Sequence, residues 1–170
     1  MVPLGSFMRF SRKLATVFLL FVGVVSQAQV ARPPFTLSKI DSKIVKKFQE
    51  AWSISGNGSL DVEGVVLIFL NADGSYRGVT LGRTNETRKA TFKWSPEIIA
   101  VIHTHPIRFN PEPSDGDIPL ADRFGVPVFT ITRKGMFMYD PSTKRISKVK
   151  DCLDWLDQSH WAQSQYVATK

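Results

Sequence analysis

The chain has 170 residues, of which 43% are hydrophobic and 22% charged; this supplies one domain with a core and excludes a disordered or collagen-like chain. The formal charge is +7, but Arg9, Arg12 and Lys13 lie in a leader that lacks Asp and Glu. The remainder has 19 basic against 15 acidic residues, a charge of +4, which describes an ordinary surface and makes no case for a nucleic-acid partner.

Residues 1–28 read as a secretory signal. The core of the pattern is 8–28, with a basic start, an apolar run over 14–25, and small residues Ser26 and Ala28 before a cut. Met8 is an alternative start. The apolar run is short of the roughly 20 residues a span needs, so no stable membrane span is expected after cleavage, although an uncleaved anchor is the rival reading. The protein is then exported, to a periplasm or beyond. With Cys152 as the single cysteine, no intrachain disulfide is possible.

Residues 29–37 read as a linker and 38–165 as the folded domain. A helix is expected over 38–53, because Ile40, Ile44, Phe48, Ala51 and Trp52 share one face. Gly56-Asn57-Gly58 ends it. Residues 62–82 read as a β-hairpin around the turn Asn71-Ala72-Asp73-Gly74. Glu63 stands at its beginning, and a carboxylate entering a buried strand is costly unless it has a partner. The sequon-like Asn57-Gly58-Ser59 and Asn85-Glu86-Thr87 matter only in a eukaryotic source.

The apolar run 98–102 leads into His103-Thr104-His105 and reads as a buried strand. Alternation along a strand points His103 and His105 to one face and Thr104 to the other. Pro106 stops the ladder. Ser114 is a good N-cap with Asp117 at the capping-box position, and a turn of helix there aims Asp117 back at the histidines. Two histidines and a carboxylate bind zinc and leave one tetrahedral position open, the ligand set of a hydrolytic site. Alone, a His-x-His pair also fits two satisfied polar side chains, and Ser-x-x-Asp fits many helix starts.

A short helix over 118–124 follows, capped by Gly125. Strands are expected over 126–132, 136–139 and 145–149, and a last helix over 151–163 with Cys152, Leu153, Trp155 and Leu156 on its apolar side. Cys152 reads as a core residue, and His160 as a surface residue. The order is an α/β arrangement with a mixed β-sheet between helices.

Taken together, His103, His105, Pro106, Ser114 and Asp117 resemble the JAMM (MPN+) zinc metalloprotease family. Its pattern is a distant Glu, then His-x-His-Pro, then Ser-x-x-Asp. The spacer between His105 and Ser114 is one residue longer than the common form. The resemblance covers about residues 60–141 and implies a cytidine-deaminase-like α-β-α layout. It implies Zn2+ on His103, His105 and Asp117, with Glu63 and Ser114 as catalytic residues. Glu63 is matched to the family's glutamate; Glu50, Glu86 and Glu97 are its rivals. The implied activity is amide hydrolysis of a peptide or protein substrate, an isopeptide or cell-envelope amide included. Some relatives lose the metal and act as scaffolds, so an inactive binding module is the alternative. Oligomeric state is not legible. Other zinc hydrolases with His-x-His pairs need further histidines, and only His160 remains; a nucleobase deaminase needs a Cys-x-x-Cys pair.

Overall fold

The structure is a computed structural model that describes residues 33–82 and 91–161. These belong to one compact unit, Arg32–Lys170. The expected leader, the first residues of the linker, Glu86 and the sequon at Asn85 lie outside the described residues.

Six strands make one sheet: β1 (Val65–Leu70), β2 (Tyr76–Leu81), β3 (Ile98–Thr104), β4 (Val128–Thr132), β5 (Gly135–Asp140) and β6 (Arg145–Asp151), in the order β2-β1-β3-β4-β5-β6. Every pairing is antiparallel except β3 with β4. Those two parallel strands are joined through α2 (Asp117–Phe124), since a parallel pair cannot close with a tight turn. The chain is therefore mixed α/β.

Alternation sorts the strands onto two faces. Val66, Ile68, Ile102, Phe129 and Ile131 pack under α1 (Ser42–Ile54) and two tryptophans, Trp155 and Trp161. Val65, Leu67, Val101 and Val128 pack on the other face with Ala121 of α2. The first helix starts later than its pattern predicts, because Asp41 caps it: its carboxylate accepts the Ile44 N–H at 2.9 Å. A separate 3₁₀ turn, Leu37–Lys39, precedes it. Residues 56–58 all take positive φ, which ends α1 as expected. Gly125 closes α2 in the left-handed region, φ 64°.

The expected last helix does not form over the described residues 151–161. β6 runs on to Asp151, and short 3₁₀ turns at Asp154–Leu156 and Gln158–His160 follow. Two buried tryptophans organise this segment. The Trp155 indole N–H donates to the Thr132 carbonyl at 3.0 Å, and that of Trp161 to the Trp155 carbonyl at 3.2 Å. The Asp157 carboxylate accepts the Ser159 N–H, which favours a turn over a continuing helix. Cys152 lies in the turn after β6 and is exposed, so it is not a core residue. His160 is a surface residue, as expected.

Candidate metal and catalytic site

The site lies where β3 ends, beside the start of β1 and the N-terminus of α2. His103 pairs with Val65 across β1 and with Thr130 across β4, so it sits in the middle of the sheet. Beyond Thr104 the His105 N–H still donates to the Ile131 carbonyl at 3.2 Å. As strand alternation predicts, both imidazoles are on one face, ring centroids 4.8 Å apart, with their Nε2 atoms at 3.0 Å. They are 5% and 8% exposed.

Asp117 meets them from α2. Its Oδ1 is 3.4 Å from His103 Nε2 and its Oδ2 is 3.9 Å from His105 Nε2. The ligand atoms of the three residues lie within 4.8 Å of one another, and the group can hold a metal ion. The hydrogen bonds of the ring agree. His105 Nδ1 is 2.8 Å from the Asn110 carbonyl; that oxygen only accepts, so Nδ1 carries the proton and a neutral ring turns its Nε2 lone pair toward His103 and Asp117. Two such lone pairs at 3.0 Å repel unless a proton or a cation lies between them.

Charge binds the group as well. Burial lowers the His103 pKa, but the Asp117 hydrogen bond and charge, the Glu63 charge and a backbone bond to Phe129 outweigh it, and the net direction is upward. Burial raises the Asp117 carboxyl, yet His103 and the Ser114 hydroxyl and N–H leave it far below the usual carboxylate range.

Ser114 sits differently from its expected role. Gly116, not Ser114, is the N-cap of α2. One capping-box bond is kept: the Ser114 backbone N–H donates to Asp117 Oδ2 at 2.7 Å. The hydroxyl departs from it, donating to the same oxygen at 2.6 Å. Both bonds hold the carboxylate at the histidines, while the serine oxygen accepts the Gly116 N–H at 3.3 Å.

The loop between His105 and Ser114 is fixed at both ends of its path. Ile107 N–H donates to the Gly58 carbonyl at 2.9 Å, and the Thr130 hydroxyl donates to the Pro111 carbonyl.

Glu63 is half-buried and lines the same cleft as His103, His105, Ser114 and Asp117. Its rivals do not. Glu50 is exposed, bound to Lys47 of its own helix and to Thr80 of β2. Glu97 precedes β3, about 20 Å along the strand from His103 at some 3.3 Å per residue.

The cleft has a volume of about 240 Å³, and Val65, Phe92, Val101, Leu120 and Val128 form its apolar wall. A second hollow of about 330 Å³ adjoins it, sharing Glu63, His105 and Ser114 and continuing past Phe109 and Glu112. Glu63, His105 and Ser114 thus stand where the two hollows meet, with His103 and Asp117 in the first. Sequence reading missed the Asn110 carbonyl and the Phe92 and Leu120 wall. No pattern marks a backbone acceptor in a loop, and the wall residues are ordinary apolar positions until the fold brings them together. Comparison of the sequence with family models and with curated proteins returned no match.

Proposed function

We propose that the protein is an exported zinc-dependent hydrolase of amide bonds, a peptidase or isopeptidase of the JAMM kind. The observation that carries this reading is the convergence of Glu63 and Ser114 with the His103, His105 and Asp117 group on one open groove. A metal-binding site built only for stability would have no use for a half-buried carboxylate and a hydroxyl at its open side.

His103 and His105 offer neutral nitrogens and Asp117 an anionic oxygen, a set that suits zinc and leaves a coordination position for water. Bound there, zinc is a Lewis acid that lowers the pKa of its water toward neutrality. Glu63 takes the proton of the attacking water and returns it to the leaving nitrogen. Ser114 turns its hydroxyl toward the carbonyl oxygen as that oxygen becomes anionic. The apolar wall receives the side chain next to the scissile amide and keeps bulk water from that flank.

The test uses residues 29–170. About one zinc per chain is expected in the wild type and none in His103→Ala. Glu63→Gln keeps the zinc and loses hydrolysis of quenched fluorescent peptides by at least ~100-fold, the scale of general-base catalysis. A wild type that takes up no zinc on add-back would leave an inactive binding module as the better reading. Undiminished turnover by Glu63→Gln would remove Glu63 from the role of base.

A further inference from the structure

We propose that Thr104, between the two histidines, is a positioning residue for Glu63: its hydroxyl fixes the point where the glutamate leaves the sheet. This rests on the amide-hydrolase reading. Thr104 faces away from the metal group, is fully buried, and stands one rung beyond the Val65–His103 pair. At that rung Gly64 opposes it. The Thr104 N–H donates to the Gly64 carbonyl at 3.0 Å, as a ladder requires. The Gly64 N–H bonds to the threonine side chain, Oγ1, at 2.8 Å. The hydroxyl oxygen thus adds a contact where β1 parts from β3.

Gly64 is also held from behind. A Cβ at this residue would lie 2.1 Å from the Ala51 carbonyl oxygen of α1, so the glycine backbone rests directly on the helix backbone. Between the helix on one side and the threonine on the other, Gly64 has one place to be. Glu63 is the next residue, and its carboxylate reaches the cleft from that fixed point. The imidazoles project from the opposite face of β3 and gain nothing from the hydroxyl. Removing it therefore shifts the base relative to the metal group and leaves the group intact.

Thr104→Val keeps the shape and deletes the acceptor, which strands a buried N–H. In zinc-loaded protein assayed on quenched fluorescent peptides, the variant should lose on the order of 10- to 100-fold in kcat, the effect of a displacement of about 1 Å. KM should stay within about twofold and zinc stoichiometry should be unchanged. Thr104→Ser, which keeps the oxygen, should restore most of the rate, and adding Thr104→Val to Glu63→Gln should cause no further loss. Full activity in Thr104→Val, a loss of zinc in it, or no rescue by serine would overturn the assignment. Hydrogen exchange supplies a check without turnover or variants: the Gly64 N–H should exchange as slowly as the amides of the β1 interior. Exchange at the rate of a loop amide would overturn the proposal. If zinc-loaded wild type cleaves no peptide, the hydrolase reading fails; a protected Gly64 N–H would then still establish the contact, without a catalytic role for it.

Discussion

Gly64→Ala should destabilise the protein by about 2 kcal/mol, and the magnitude follows from the contact between β1 and α1. The added methyl carbon would lie 2.1 Å from the Ala51 oxygen, 2.6 Å from its carbonyl carbon and 2.7 Å from its Cα, where ordinary contacts begin at 3.4 Å. The start of β1 must therefore move outward by roughly 1.3 Å, or α1 must retreat as far. Neither motion is easy. The same Ala51 carbonyl accepts the Ser55 N–H at 3.2 Å, and the other side of Gly64 is bonded to Thr104. Overpacking a fitted interior costs about 1–3 kcal/mol, and backbone against backbone belongs at the upper end. The loss of unfolded-chain freedom on adding a methyl group returns about 0.4–1 kcal/mol. A net loss of about 2 kcal/mol lowers Tm by roughly 6–10 °C in a domain of this size. Thermal unfolding of residues 29–170 measures it. Gly82→Ala is the control, because nothing lies within 4 Å of a Cβ there. A Tm for Gly64→Ala within about 2 °C of wild type would refute the reasoning.

The remaining expectations concern the metal and the groove. Zinc must displace any proton on His103, whose pKa lies above its ordinary value, so affinity should begin to fall above pH ~6.5 on acidification, by up to about tenfold per pH unit per proton displaced. Asp117 stays ionised throughout that range and adds no slope. Competition titrations with a chromophoric chelator between pH 5.5 and 8.5 read this directly, and a flat profile would contradict it. Leu120→Arg puts a long cation into the apolar wall; it should lower kcat/KM for peptides with an apolar residue beside the cut by about tenfold or more, ~1.4 kcal/mol, with zinc content unchanged. Equal turnover on such peptides would remove the wall from substrate binding.

The parts of this structure legible in the sequence are those fixed by local chemistry. The hairpin of β1 and β2 follows from an apolar run and its Asn-Ala-Asp-Gly turn, the buried β3 from a second apolar run, and the histidine parity from strand alternation; Gly125 marks the end of α2 through its φ of 64°. The segment after Asp151 was not legible in that way. Its apolar residues fit a helical face, but Trp155 and Trp161 are each placed by burial and by an indole hydrogen bond, Trp155 to the Thr132 carbonyl and Trp161 to the Trp155 carbonyl, and these anchors override spacing. That Asp117 would face the histidines and accept the Ser114 N–H was legible, but not the direction of the Ser114 hydroxyl. The Ser-x-x-Asp spacing predicts the backbone bond and the inward carboxylate, while the hydroxyl donates to that carboxylate beside His103 where a cap would accept a helix N–H.

That direction bears on how Ser114 can act. Its hydroxyl has one proton, and in this structure it is given to Asp117 Oδ2. To bond an oxyanion it must turn away, and a carboxylate abandoned by its only donor would swing from the histidines. Asp117 is not abandoned, because the Ser114 backbone N–H donates to the same oxygen at 2.7 Å. A backbone donor cannot leave without unwinding the turn before α2, where Ser114 O accepts the N–H groups of Asp117 and Ile118. On the proposed mechanism the hydroxyl then exchanges one charge-assisted bond for another of the same class. Such bonds are roughly twice as strong as neutral ones, so the exchange is close to balanced and sets no large barrier. The Ser-x-x-Asp turn therefore separates two duties. The peptide group of Ser114 holds the ligand, and its side chain is available to the substrate.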